Sequence, residues 1–426
     1  MANNTWLSVA PDLPQVQSYL FGGTWEANDI IRATIGTVSV DFVAGSTTIA
    51  TVIDNLIAAW ALLDEDAYPQ FAEITPTRST STLLLTSEIE GKFFVVTLTP
   101  LETNGSAADA QTIEGIGTAT TGTASTANSG KNDVNVVSNW SDGLPNASDD
   151  VHFDVGGTDR SAMYQLGAFS AVTLTSLNFF GSFTGDVGLP RIDAEGDYYQ
   201  YRDDYFVVSA TTINVSITGG TGSGRIKVNT GSVATTVNVF GTGSSSDPEV
   251  RAFVWKGTSA SNTMRVEGGS VDVAPYGGET ANLAGGVTMN GGDLRTGPGV
   301  TLSGTHNQAG GTWDSSSALG TLNMNGGLHI HRTGTVTALV LNDGTFDVRS
   351  KAAMTITDLT IGPTGVLDLT NAIGAVTVTN TAVLRPGATI LDPHNRLATT
   401  FTYSCVGGPN SVNVSRGQAA ATVAIS

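Results

Sequence analysis

Cysteine occurs once in the 426 residues, at Cys405. That excludes an intramolecular disulfide framework and any cysteine-rich zinc or iron–sulfur centre. Charge is scarce as well. Asp, Glu, Lys and Arg make up 13% of the chain, roughly half of the usual ~25%. It is also one-sided, with 38 acids against 19 bases and a net charge of −19. A nucleic-acid partner requires a basic face, so none is expected. No apolar run of about 18 residues exists, so no membrane insertion through a helix is expected. The opening MANNTWLSVAPDLPQVQSYL has neither a basic n-region nor an apolar h-region and does not read as a secretory leader. Walker, dinucleotide-binding, HExxH and GxSxG motifs are missing, and so is a tandem Ca²⁺-binding nonapeptide. The expectation is a chain that is not an enzyme, with no cofactor, no metal and no catalytic residue.

What is present is glycine, at 51 residues, and a hydrophobic share of 40%, enough for a large core. Three composition zones and a tail follow one another. Residues 1–103 read as a small α+β domain. Ile30 to Val43 is β-branched with Gly36 near its middle, which predicts a hairpin or two short strands. Ile49, Val52, Ile53, Leu56, Ile57, Trp60 and Leu63 follow helical spacing. Ser46, Thr47 or Thr48 can cap that helix, and Pro69 follows its end. Thr82–Thr86 and Phe93–Thr99 predict two more strands. Residues 104–134 are Ala, Thr, Gly and Ser almost throughout and read as a linker.

Residues 135–395 carry an irregular repeat of short strand, Gly turn and strand. Its copies anchor at Gly269, Gly292, Gly311, Gly326, Gly344 and Gly365, at spacings of 23, 19, 15, 18 and 21 residues. A period near 19 predicts a parallel β-helix, or β-solenoid, whose coils bury a core only by stacking. Two residues past the anchors stand Val271, Leu294, Trp313, Leu328, Phe346 and Leu367, which predicts an inward column. One residue further stand Asp272, Arg295, Asp314, His329, Asp347 and Asp368, an outward charge ladder. Placing the fourth anchor at Gly326 keeps His329 and His331 out of the core. Residues 396–426 read as a C-terminal β cap or strand-exchange tail. The fold class is therefore mainly β: a parallel β-helix, right-handed by the general crossover preference, with a small N-terminal α+β domain.

Two segments carry resemblances. NWSDGLPNASDDVHFD, through Asn139, Trp140, Ser141, Pro145 and Asp150, resembles the opening strand of surface and autotransporter-like β-helices. GGTWEANDIIRATIGTVSVDFVAGSTTIATVIDNLIAAW resembles a small module of tailed-phage and prophage virion proteins. That module places a strand pair around an "ING"-like turn, here Ile35-Gly36-Thr37, before a helix ending in Ala59-Trp60. The whole chain resembles prophage-type β-helix proteins. The resemblance implies a virion structural part, assembled in the host cytoplasm, with capsid or tail proteins as partners and homotrimers as the usual arrangement.

Three groups of residues are candidate sites. Tyr198, Tyr199, Tyr201, Arg202 and Tyr205 form the densest aromatic run and suit contact with a protein or with a host surface glycan. The charge ladder has a catalytic reading, since Asp347 and Asp368 on adjacent coils could approach the ~5–9.5 Å spacing of glycosidase carboxyls. Its other reading is an exposed ladder in which Arg295 relieves the acids. His329-Ile330-His331 resembles the HxH strand of metal-binding phage spike tips, but it lies about 95 residues before the end. Solvated or interface histidines are expected instead. The leading expectation is particle architecture. The alternatives are a tailspike-like glycan-binding or glycan-cleaving β-helix and a bacterial surface adhesin.

Overall fold

The computed structural model describes residues 3–103, 105–108, 110–115, 123–154, 160–193, 196–216, 224–245, 249–397, 400–405, 411–417 and 422–425. The chain is mainly β, with 48% strand and 5% helix. One sheet of 23 strands dominates. Its pairing is parallel throughout, as in Leu177 with Ile213, Ile213 with Val237 and Val237 with Met264. This arrangement is compatible with a β-helix. Among the described residues around 155–225, where the sequence repeat is hard to follow, parallel pairing continues from Asp150–Phe153 to Thr173–Phe179, Ser209–Val215 and Thr236–Val239. Coil length varies widely: Gln308 pairs with Met324, 16 residues on, and Val237 with Met264, 27 residues on.

The N-terminal boundary differs from the expected one. Asn3–Thr5 belongs to the stack, not to the α+β domain, and pairs in parallel with Asp150–His152. The domain is inserted after this first strand. In one of its sheets Val16–Gly23 pairs antiparallel with Thr82–Ser87. In the other, Ile30–Ile35 lies between Val38–Val43 and Thr97–Leu101. The helix Ile49–Trp60 buries Val52, Ile53, Leu56 and Trp60 on the predicted face. Thr48 takes the N-cap position without a side-chain capping bond. The last strand begins at Thr97, not at Phe93, because side chains occupy the preceding backbone. Gln15 Oε1 accepts from Phe94 N at 2.9 Å, and Tyr19 OH donates to Val96 O at 2.6 Å.

The expected linker at 104–134 is also corrected where it is described, residues 104, 109 and 116–122 lying outside the described residues. Gln111–Gly115 and Thr123–Thr126 are strands that pair with Val16–Gly23 and complete its sheet. Residues 128–140 close the N-terminal end of the stack. Asn139, expected in an opening strand, instead sits in a short 3₁₀ turn and is fully buried. Its Oδ1 accepts from Val9 N and Ala10 N, and its Nδ2 donates to Gly130 O and Asp133 O, all at 2.7–2.8 Å. Trp140 packs edge-on against Trp6, with ring centroids 4.9 Å apart. At the other end, the described strands of the expected cap or exchange tail at 396–426 continue the stack: Ile390 pairs with Val414 and Thr400 with Thr422, while residues 398–399, 406–410, 418–421 and 426 lie outside the described residues.

The inward column reads Val271, Leu294, Trp313, His329, Phe346, Leu367 and Ile390 by direct pairing. The fourth repeat is therefore anchored at Gly327, not Gly326. Backbone geometry gives the reason. Gly269, Gly292, Gly311, Gly327 and Gly344 all hold left-handed φ values, namely 82°, 72°, 69°, 82° and 88°. A Cβ on Gly292, Gly311, Gly327 or Gly344 would lie 2.4–2.5 Å from the carbonyl oxygen of the preceding glycine in this ladder. Each turn thus needs glycine both for its backbone angle and for the approach of its neighbour. On the outside, buried or half-buried amides add a second ladder, with Asn214 donating to Asn178 and Asn238 to Asn214, both at 2.9 Å.

Two alanine substitutions separate these demands. Gly231 has φ 59° with nothing near its Cβ position, so Gly231→Ala is expected to cost about 1 kcal/mol. Gly311→Ala adds the backbone clash and is expected to cost about 3 kcal/mol or more. Denaturant midpoints of the two variants check this, and equal losses would contradict a stacked glycine ladder.

Candidate functional site

The aromatic run does not form one patch. Tyr198, Tyr201 and Arg202 reach across to the N-terminal domain and close on Glu73. The Arg202 guanidinium and the Tyr198 hydroxyl both bond the Glu73 carboxylate, and Lys92 Nζ joins it at 2.7 Å. Arg202 also donates through Nε to Phe93 O and lies 4.2 Å from the centroid of the Tyr201 ring. Gly36, in the predicted hairpin turn, sits under Tyr201, where a Cβ would lie 2.5 Å from the Tyr201 Cβ. Burial acts to raise the Glu73 carboxyl, but Arg202 and Lys92 outweigh it and hold the group below its ordinary value. Burial pushes the Tyr198 and Tyr201 hydroxyls up. These residues are an internal clasp between domain and stack. Glu73 carried no signal in the sequence, since Tyr198 and Arg202 lie more than a hundred residues from it.

The other two tyrosines part company. Tyr205 is buried against Val250 and Val254, with Lys256 Nζ 3.7 Å and Lys227 Nζ 4.7 Å from its ring centroid. Lys227 is itself buried, and donates to Asp204 at 2.6 Å and to Leu189 O at 3.0 Å. Burial lowers its ammonium, and Asp204 opposes the shift. Only Tyr199 is available to a partner, at 70% exposure, with the Arg191 guanidinium 5.3 Å from its ring centroid.

The charge ladder is paired, not open. Asp272 is fully buried and is held by Arg295, with Nε donating at 2.8 Å, and by Arg251 at 3.4 Å. Asp314 takes a bidentate pair from Arg332 at 2.6 and 2.7 Å. Asp347 is bonded by Arg349 at 2.8 Å and by Asn371 at 3.3 Å. Asp368 is the register partner of Asp347, but its Oδ1 accepts from Thr370 N at 2.9 Å. The ladder's fourth position is Ile330, not His329.

His329 and His331 face the core and are fully buried, which corrects the expected solvated placement. His329 stacks on Phe346 at 5.0 Å and meets Trp313 edge-on at 5.0 Å. It therefore fills an aromatic slot that the apolar criterion assigned to Leu328. A chain of polar contacts runs from Gln308 Oε1 to His329 Nδ1 (3.3 Å), from His329 Nε2 to Ser315 Oγ (3.0 Å), and from Ser315 Oγ to His331 Nδ1 (3.0 Å). It ends from His331 Nε2 to Gly334 O (3.0 Å). The Gly334 carbonyl only accepts, so His331 Nε2 carries its proton. Ser315 then donates to His331 Nδ1 and accepts from His329 Nε2. The His329 Nδ1 lone pair is left facing Gln308 Oε1, across the longest contact of the four. Gln308 keeps its amide nitrogen on Leu328 O at 3.0 Å. Four contacts share three protons. A fourth proton would complete the chain, worth about 1–3 kcal/mol, but would bury a charge at a cost of several kcal/mol. The neutral chain wins. Burial, joined by His331 and His306, holds His329 well below its ordinary value, and burial lowers His331 and His306 too.

Among the described residues, no group of three or more His, Cys, Asp or Glu is arranged to hold a metal ion, and no helix is long and apolar enough to cross a membrane. No protein-family model, curated protein or solved structure matches the chain.

Two measurements follow. Arg202→Ala breaks the clasp and leaves a buried carboxylate short of a partner, an expected loss of about 3 kcal/mol. Calorimetry should show the N-terminal domain melting separately from the stack, whereas an unchanged transition would refute the coupling. Unfolded imidazoles titrate near pH 6.5, and all three buried ones sit lower when folded. Below about pH 6.5 the unfolded chain therefore binds more protons. The histidine contribution to stability is complete above that pH and falls as pH drops, by about 1.4 kcal/mol per unit for each group. Denaturation at pH 7, 6.5 and 5.5 reads the slope, which His329→Phe should lower by about one proton. A flat profile would contradict the buried neutral chain.

Proposed function

We propose that this chain is a structural, non-catalytic part of a phage-like particle. Its N-terminal domain docks to the particle, and a right-handed parallel β-helix projects as a decoration, fibre or tail appendage. The observation that carries this reading is the Glu73–Arg202 clasp, which fixes a compact domain against the closed end of a long stack. A rigid projecting part needs that mechanical continuity. The acids that would serve a glycosidase are bonded to arginines, asparagine or backbone, which supports a passive role for the ladder. Its partners are other virion proteins and further copies of itself, a trimer by resemblance. One side of the stack offers Thr335, Thr337, Thr355, Thr357, Thr377 and Thr379 at exposed or half-exposed positions without charge. Charge depletion of this kind favours a protein contact. Tyr199 with Arg191 remains the one exposed remnant of the aromatic run for a host surface glycan.

Mass spectrometry of purified particles from an induced culture tests the reading. Recovery at a fixed copy number per capsid or tail is expected, and the number separates decoration from appendage. Absence from particles, with the protein found in the cell envelope or the medium, would overturn it.

A further inference from the structure

The N-terminal domain carries an apolar groove of about 260 Å³ between the end of its helix and the edge strand Ile74–Ser79. Ile57, Leu63, Tyr68 and Pro76 line it, over a floor where Trp60 meets Phe71 at 5.0 Å. Leu62, beside it, is 85% exposed, the most exposed of the large hydrophobic residues among those described. Asp64, Glu65 and Asp66 follow at once, all exposed, and Glu65 lines the groove itself. Ile57, Leu63 and Tyr68 are half-buried against the domain's core, whereas Leu62 is not among the residues packed on that core and stands out beside the groove.

We infer that this groove is the particle-docking surface of the domain, and that its occupant is a partner segment with a large apolar anchor flanked by lysine or arginine. The inference rests on the particle reading above. The acidic rim selects the charge of the partner, since a basic flank gains attraction and an acidic one is repelled. A second copy of this chain suits poorly, because it brings a net charge of −19. Pro76 has no N–H to offer along the edge strand, so the segment is held by its side-chain anchor and not as an added strand. The volume fits one or two large side chains, the pattern of an anchored hot spot.

The test uses the full chain and a fluorescein-labelled peptide, Leu-Lys-Leu-Lys-Leu, with Leu-Glu-Leu-Glu-Leu as the paired probe. Saturable binding of the lysine peptide and none of the glutamate peptide is expected. Leu62→Asp should weaken binding about tenfold or more, although it adds a negative charge that would strengthen purely electrostatic adsorption. Glu65→Lys should weaken it comparably. Both positions are exposed, so folding is preserved, and far-ultraviolet circular dichroism checks that. Undiminished binding to both variants, or no saturable binding to the parent chain, overturns the groove. Recovery of the parent chain in purified particles tests the particle reading separately, so the two fail independently.

Discussion

The structure depends on registered stacking of short parallel strands. In that arrangement each backbone N–H and C=O finds its partner one coil away, and no coil can bury its own face. Register decides everything else, because a shift of one residue exchanges core and surface. The glycine ladder from Gly269 to Gly344 enforces the register. Each left-handed turn leaves room only for a backbone carbonyl of the coil before it, so turns lock to turns and the flanking strands have no freedom to slip. Other corners carry close glycine approaches of their own, as at Gly297 and Gly304, where a Cβ would lie 1.9 and 2.0 Å from the carbonyl oxygens of Ala274 and Ala284.

The closed end of the stack solves a different problem. A first parallel strand exposes an unpaired edge, which templates aggregation. Here Trp6, Trp140 and Asn139 fold residues 128–140 over that end, and Asn139 spends both ends of its amide on backbone groups from two segments. The inserted domain leaves and rejoins the chain at this same place. Its second attachment, Glu73 to Arg202, closes a loop of contacts between domain and stack. One attachment would act as a hinge, and two that lie apart give a fixed orientation. The buried charges cost desolvation energy, yet each is met by several partners, which is the condition under which a buried ion pair specifies geometry.

Much of this was legible in the sequence. The period near 19 and the alternation around Val271, Leu294 and Trp313 revealed the stack, and the helix face from Val52 to Trp60 was read correctly. The errors share a physical cause. The criterion for the core was apolarity, and His329 is core by shape: it stacks on Phe346, meets Trp313 edge-on and passes its polar atoms to Ser315 and Gln308. The weakly apolar strands Gln111–Gly115 and Thr123–Thr126 read as a linker because their pairing with Val16–Gly23 is non-local. The clasp joins residues far apart in the chain, and no local pattern encodes such a contact. The aromatic density of Asp197–Phe206 marked an interface, but not that the interface was internal.

The histidine chain shows how a polar core can still specify one structure. Replacing Ser315, His329 and His331 with apolar residues would remove the unmade contact at His329 Nδ1 and the desolvation cost of the other groups. It would also remove the directional bonds that link Ser315, His329 and His331 across neighbouring coils. Apolar columns alone tolerate sliding by one coil, since Leu367 and Ile390 fill similar space. A hydroxyl placed between two imidazoles, with a carbonyl fixing the tautomer at one end, is satisfied in one register only. The coils from His306 to Phe346 are also among the shortest, and their corners carry Gly311, Gly327 and Gly344. Directional bonding inside the stack therefore acts on the same coils whose glycine corners already fix the register.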